Sequence, residues 1–191
     1  MAQPADPLAK TNFTFADSLS PYNVSMKAWL TQSNRQNELN GIATAIVISS
    51  SENKVLLVQR AAHDSMPGRW EVPGGAVDEE DPTILHAAAR ELVEEAGLVA
   101  AHFTRVVSEK AGLDPGYVFS NRAGTATWCR LTFAVEVESC ERVTLDPNEH
   151  QAHVWATEQE VRDQRVEGLE IPITTNSVQA TILEAFRLKR E

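Results

Sequence analysis

A chain of 191 residues with 42% hydrophobic content can bury one full core and has the size of one domain with a modest extension. No stretch approaches the length of a membrane span, and the first residues lack a charged start followed by an apolar run, so no membrane partner and a cytoplasmic location are expected. A net charge of −10 argues against a general binder of nucleic acid polymers, which gain affinity from basic surface, and the two cysteines require no disulfide.

Residues 1–40 are polar and read as an N-terminal extension, loose at its start, with a short helix over Pro21 to Leu30 that places Tyr22, Met26, Trp29 and Leu30 on one side. Residues 41–191 read as the main domain. Ile42 to Ser49 and Lys54 to Arg60 are apolar, β-branched runs separated by Ser50-Ser51-Glu52-Asn53, which predicts a hairpin. Trp70 to Pro73 is a short extended piece leading into Gly74-Gly75. A helix follows, for which Asp81 is the expected N-cap, Pro82 the first helical residue and Gly97 the left-handed stop.

Further extended segments are expected at Ala101 to Lys110, Tyr117 to Ser120 and Thr125 to Glu138. In the last of these Cys129, Leu131, Phe133 and Val135 alternate with more polar neighbours. Gln151 to Trp155 offers another strand, followed by a helix from about Glu158 to Arg165 capped by Thr157. A final helix over Asn176 to Lys189 turns Val178, Ile182, Ala185 and Phe186 inward. Strands in the middle with flanking helices predict an α/β protein, a mixed central sheet in an α/β/α sandwich.

The helix after Gly74-Gly75 carries the chemistry. At about 100° per residue, Glu91, Glu94 and Glu95 share one face, while Leu85, Ala89, Leu92, Val93 and Ala96 form the adjoining apolar stripe. Like charges at this spacing destabilise a helix, and acids in its last turns oppose the helix dipole. Arg90 is expected to point elsewhere. A bound Mg²⁺ or Mn²⁺ would relieve both penalties, because such ions take hard oxygen ligands.

The stretch Gly75 to Leu98 resembles the Nudix box, the signature of the Nudix hydrolase superfamily, written G-x5-E-x7-R-E-U-x-E-E-x-G-U with U aliphatic. Arg90-Glu91-Leu92-Val93-Glu94-Glu95-Ala96-Gly97-Leu98 matches the second half without a gap. In the first half Asp81 stands where the family has Glu, and one residue is inserted before Arg90. The resemblance implies Glu91, Glu94 and Glu95 as metal ligands, with the carbonyl of Gly75 or Gly74 as a further one. One of the glutamates would be the general base. It leaves Asp81 as helix cap, as a brace to Arg90, or both.

Outside the box, the loop Asp146-Pro147-Asn148-Glu149-His150 offers Glu149 as the extra acid that many Nudix enzymes place there; His150 and His153 are weaker candidates, since a histidine beside a loop is more often solvated or satisfied in packing. Among the basic residues Arg60, Arg69, Arg105, Lys110, Arg122 and Arg130, closeness to the turn singles out Arg60 and Arg69 for substrate phosphates. Tyr117, Phe119, Trp70 and Trp128 can stack on a base, although the core is the favoured place for both tryptophans. The resemblance implies hydrolysis of a diphosphate linkage in a small phosphorylated nucleotide derivative, of the ADP-ribose type or another. Two alternatives are a Nudix-fold module that binds a nucleotide without cleaving it and an adaptor working through protein contacts. A homodimer is suggested by analogy alone.

Overall fold

The computed structural model describes residues 12–49, 51–121 and 123–191. The start of the extension and Arg122 lie outside the described residues.

The extension contributes β1 (Thr14–Phe15), a 3₁₀ helix over Asp17–Tyr22 and α1 (Met26–Gln32), capped by the Ser25 hydroxyl. Next come β2 (Gly41–Ile48), β3 (Val55–Arg60), β4 (Trp70–Glu71) and α2 (Ile84–Ala96), followed by β5 (Ala100–Val107), β6 (Tyr117–Ser120) and β7 (Thr127–Val137). The chain continues through β8 (His150–Ala156), α3 (Glu158–Asp163), the short pair β9 (Arg165–Val166) and β10 (Leu169–Glu170), and α4 (Asn176–Lys189). No helix among the described residues is long and apolar enough to cross a membrane.

The main sheet is mixed. β7 is its centre, antiparallel to β5 and β6 and parallel to β2, while β1 adds to β5 in parallel. A second antiparallel sheet has the order β4-β3-β8. Helices cover both sides, as the sandwich expectation requires. On β2, Ile42, Ile46 and Ile48 enter the core that contains α2, whereas Ala45 and Val47 enter the one that contains α4; Leu56 and Val58 of β3 are divided from Val55 and Leu57 in the same way. Burial on two faces explains why these strands read as unbroken apolar runs.

The expected hairpin does not form. β2 and β3 belong to different sheets and share only the bridge Ser49↔Val55. The reason is that the free edge of β2 is already taken: Thr44 N donates to Gly75 O (2.7 Å), Ile46 N to Pro73 O (2.8 Å), and Val77 N to Ile42 O (2.9 Å). Residues 73–77 thus lie along β2, and the Gly-Gly turn is pinned to the centre of the fold. Gly74 permits this approach: its φ is +149°, and a Cβ there would fall on the Thr44 carbonyl.

Two boundaries shift. α2 is capped by Thr83, whose hydroxyl accepts from His86 N (3.2 Å), and not by Asp81. α3 stops at Asp163 because Gln164 takes the left-handed conformation (φ 51°), after a capping box of Thr157 and Glu160. The extension packs closely on the domain. Leu19 is fully buried, Phe13 packs edge-on against Phe103, and Ile84 N donates to Val24 O (3.0 Å), so residue 24 satisfies an orphan donor of α2's first turn.

Candidate active site

Residues 73–77 and α2 meet at a cleft of about 450 Å³ lined by Arg60, His63, Asp64, Gly74, Gly75, Ala76, Glu91, Glu95, Asn148, Glu149 and His150. Two box glutamates, the Gly-Gly turn, Glu149 and Arg60 are therefore brought together as expected. Glu94 stands apart on the exposed side of α2, its side chain 42% exposed.

Arg90 organises the box. Its guanidinium donates to both carboxylate oxygens of Asp81 (3.1 and 2.8 Å), to Ala76 O (3.0 Å), to Glu91 (2.8 Å) and to Glu94 (2.9 Å). The expectation that it points away is corrected: Arg90 and Glu94 are i, i+4 neighbours, and the arginine turns onto the very stripe it was to leave alone. Asp81 is buried and acts as the brace to this arginine. It also accepts from Asp78 N (2.9 Å), so the inserted residue is absorbed in a tight turn over residues 78–81.

The two cleft glutamates are largely removed from water. Glu95 accepts from Gly74 N (2.7 Å), and burial together with the neighbouring Glu149 carboxylate pushes its carboxyl up to about 10 despite that bond. Glu91 is pushed up to about 7, again chiefly by burial, with Arg90 opposing and Glu94 and Glu149 adding to the shift. Its carboxylate lies so close over Gly75 that a Cβ there would sit 2.5 Å from Oε2. Gly75 O accepts from Thr44 N (2.7 Å) and, more weakly, from the Thr44 hydroxyl (3.4 Å). The donor set is all hard oxygen with excess negative charge, which fits a divalent cation of the Mg²⁺ or Mn²⁺ type.

Arg60 reaches the cleft already engaged, pairing with Glu71 and Asp64 and donating to Ser65 O (2.6 Å). Arg69 is exposed and does not line the cleft. Tyr117 lies elsewhere, in a cavity of about 310 Å³ beside Arg130, whose guanidinium sits 5.1 Å from the ring centroid and donates to Ser177 Oγ (2.8 Å). Arg105 caps the end of α4 through Leu188 O (2.9 Å). Trp70 is fully buried, and Trp128 is half-buried against Gly41.

His150 departs from the expectation of a solvated or satisfied side chain. It is 3% exposed, lines the cleft, and its Nδ1 has no partner among the described residues. It lies one residue outside the expected strand Gln151 to Trp155, but in the structure it is the first residue of β8, paired with Arg60 beyond a bulge between Gln59 and Arg60 of β3.

An α/β/α sandwich whose glutamate-bearing helix is locked by one arginine against a Gly-Gly turn defines a class of phosphate-processing enzyme. A NUDIX domain model matches residues 39–175, and the chain belongs to the Nudix family. It is similar to the CTP pyrophosphohydrolase of Escherichia coli strain K12, 31% identical over 149 residues that cover 78% of this chain and 93% of that protein. Among solved structures, the E. coli ORF135 protein matches at 26% identity and a TM-score of 0.52, covering 78% of this chain and 90% of that one. The Nudix domain of Shewanella oneidensis NrtR, solved with ADP ribose, shares the fold at 17% identity and a TM-score of 0.57, covering 86% and 99%. The chain is accordingly a Nudix-type pyrophosphohydrolase acting on phosphoric anhydride bonds.

Proposed function

We propose that this chain uses divalent metal ions, Mg²⁺ or Mn²⁺, to hydrolyse the diphosphate linkage of a small nucleotide derivative, with Glu91, Glu94, Glu95 and the Gly75 carbonyl as metal ligands. The observation that carries the reading is the pair of buried carboxylates, Glu91 and Glu95, facing a cleft with no lysine in its lining. In the absence of a cation burial raises both carboxyls, Glu95 to about 10 and Glu91 to about 7, and a cation would favour their charged form.

When bound, such ions neutralise charge on phosphate oxygens and lower the pKa of a water. The chain's own residues do the rest. Arg90 and Asp81 hold Glu91 in place, Gly74 N–H orients Glu95, and Arg90 releases Glu94 to reach inward. Glu149, exposed at the mouth, takes the proton from the attacking water. Arg60 exchanges one of its carboxylate partners for a substrate phosphate. We assign the organic part of the substrate to the Tyr117 cavity, with Arg69 a peripheral phosphate contact. Glu71 lies within electrostatic reach of Arg130 and pairs with Arg60, so it links that cavity to the cleft. The E. coli relative is named for CTP, which makes nucleoside triphosphates and dinucleotide-type diphosphates the first substrates to offer. Cytoplasmic location belongs to the same proposal.

The test is a panel of nucleotide diphosphate and triphosphate derivatives incubated with Mg²⁺, Mn²⁺ or EDTA, both products being identified by ³¹P NMR. Metal-dependent cleavage that disappears in Glu95→Gln is expected. Tight nucleotide binding without cleavage of any compound would favour a binding module instead.

A further inference from the structure

One nitrogen in the cleft has no task in the reaction described above. His150 is 3% exposed; its Nε2 faces Glu71 Oε1 at 3.7 Å, and its Nδ1 has no hydrogen-bond partner among the described residues. A buried ring nitrogen without a partner is unfavourable. One nitrogen of this ring and one carboxylate oxygen each from Glu95 and Glu149 lie within 4.8 Å of one another.

The chemistry of that trio is specific. Proteins orient a metal-ligating imidazole by turning its second nitrogen toward a carboxylate, which fixes the tautomer and makes the free nitrogen more basic. Glu71 faces Nε2 at 3.7 Å, within electrostatic reach though beyond hydrogen-bond distance, and it is itself fixed by Arg60. With the Nε2 proton directed at Glu71, the lone pair of Nδ1 is left for a cation.

We propose that His150 is a metal ligand, its Nδ1 joining a carboxylate oxygen of Glu95 and one of Glu149, with Glu71 as the residue that positions the ring. The inference rests on the metal-dependent reading of the cleft and goes beyond the box glutamates, because it converts an all-oxygen site into a mixed nitrogen and oxygen site. Imidazole suits Fe²⁺, Ni²⁺ and Zn²⁺ far better than Mg²⁺, and Mn²⁺, the weakest binder of the first-row ions, still accepts it more readily than Mg²⁺ does. The site therefore selects a transition metal where oxygen ligands alone would not. His63, the other histidine of the cleft lining, is exposed and outside the trio, which makes it the internal control.

The experiment uses the full chain loaded with Mn²⁺ and reads electron spin echo modulation from nitrogen bound to the ion. Wild-type protein shows ¹⁴N modulation, His63→Gln keeps it, and His150→Gln loses it while still binding Mn²⁺. Mn²⁺ affinity falls by about tenfold or more in His150→Gln and in Glu71→Gln, the range seen when ligand-orienting groups are removed, while Mg²⁺ affinity changes much less. Should His150→Gln fold poorly, [¹⁵N]histidine labelling of His63→Gln protein replaces the ¹⁴N pattern with a ¹⁵N one without touching His150. Bound Mn²⁺ with no nitrogen modulation overturns the ligand assignment and leaves the metal-dependent reading intact; no stoichiometric Mn²⁺ binding at all overturns both.

Discussion

Replacing Glu95 by Gln should make the metal-free protein more stable while it abolishes turnover. Glu95 is 5% exposed and its carboxyl is raised from the ordinary 4.5 to about 10. Below pH 4.5 the group is protonated in both the folded and unfolded states and contributes nothing to the pH dependence. Above it, the unfolded chain releases the proton and the folded chain retains it, so stability falls with pH by as much as about 1.4 kcal/mol per unit. At pH 7 the penalty reaches about 3 kcal/mol, and the amide of Glu95→Gln does not incur it. The amide oxygen keeps the bond from Gly74 N, and its NH₂ group faces Glu149. Urea titrations in EDTA at pH 5 and pH 7.5 would show the variant ahead of the parent, by a margin that widens with pH. Mg²⁺ or Mn²⁺ should then raise the parent's midpoint and leave the variant's almost unchanged. A variant no more stable than the parent at pH 7.5, or a gap that does not grow with pH, would refute the argument from burial.

The box and its turn make further outcomes testable. Arg90→Ala leaves buried Asp81 and Glu91 without their cation and should cost about 3–5 kcal/mol, read as a drop in urea midpoint. Gly75→Ala drives a methyl into the tip of the Glu91 side chain, so calorimetry should show metal affinity reduced while circular dichroism stays native; Gly74→Ala, whose methyl meets backbone at positive φ, should instead fail to fold. Thr83→Ala should cost about 1 kcal/mol through the lost cap with metal affinity preserved, whereas Asp81→Ala should act through Arg90 and lower both.

The order of elements and the final helix were legible because each rests on local pattern, as in the two-residue alternation of Cys129, Leu131, Phe133 and Val135. The box was legible because it is contiguous. What escaped depends on contacts between distant segments. Nothing near Ser50 to Asn53 says that residues 73–77 already occupy the edge of β2, so the hairpin was a sound local inference defeated by a distant competitor. Asp81 next to Pro82 has the chemistry of a cap, but Arg90 claims its carboxylate and the cap moves to Thr83. The burial of His150 against Glu71 and Glu95 was hidden for a similar reason, since those two neighbours come from other parts of the chain.

The hydrogen bond from Ile84 to Val24 places the boundary of the working unit somewhere other than where family likeness draws it. A fragment cut to residues 39–175 would contain every cleft residue and still lose Leu19 and the Val24 carbonyl on one side of the sheet, and Ile182 and Phe186 on the other. The helix that carries the box would begin with a donor left to water and rest on an open core. Trimming at residue 40 would thus impair the box glutamates without altering one atom of them, and a protease that cut the 3₁₀ helix would inactivate the enzyme from a distant part of its sequence.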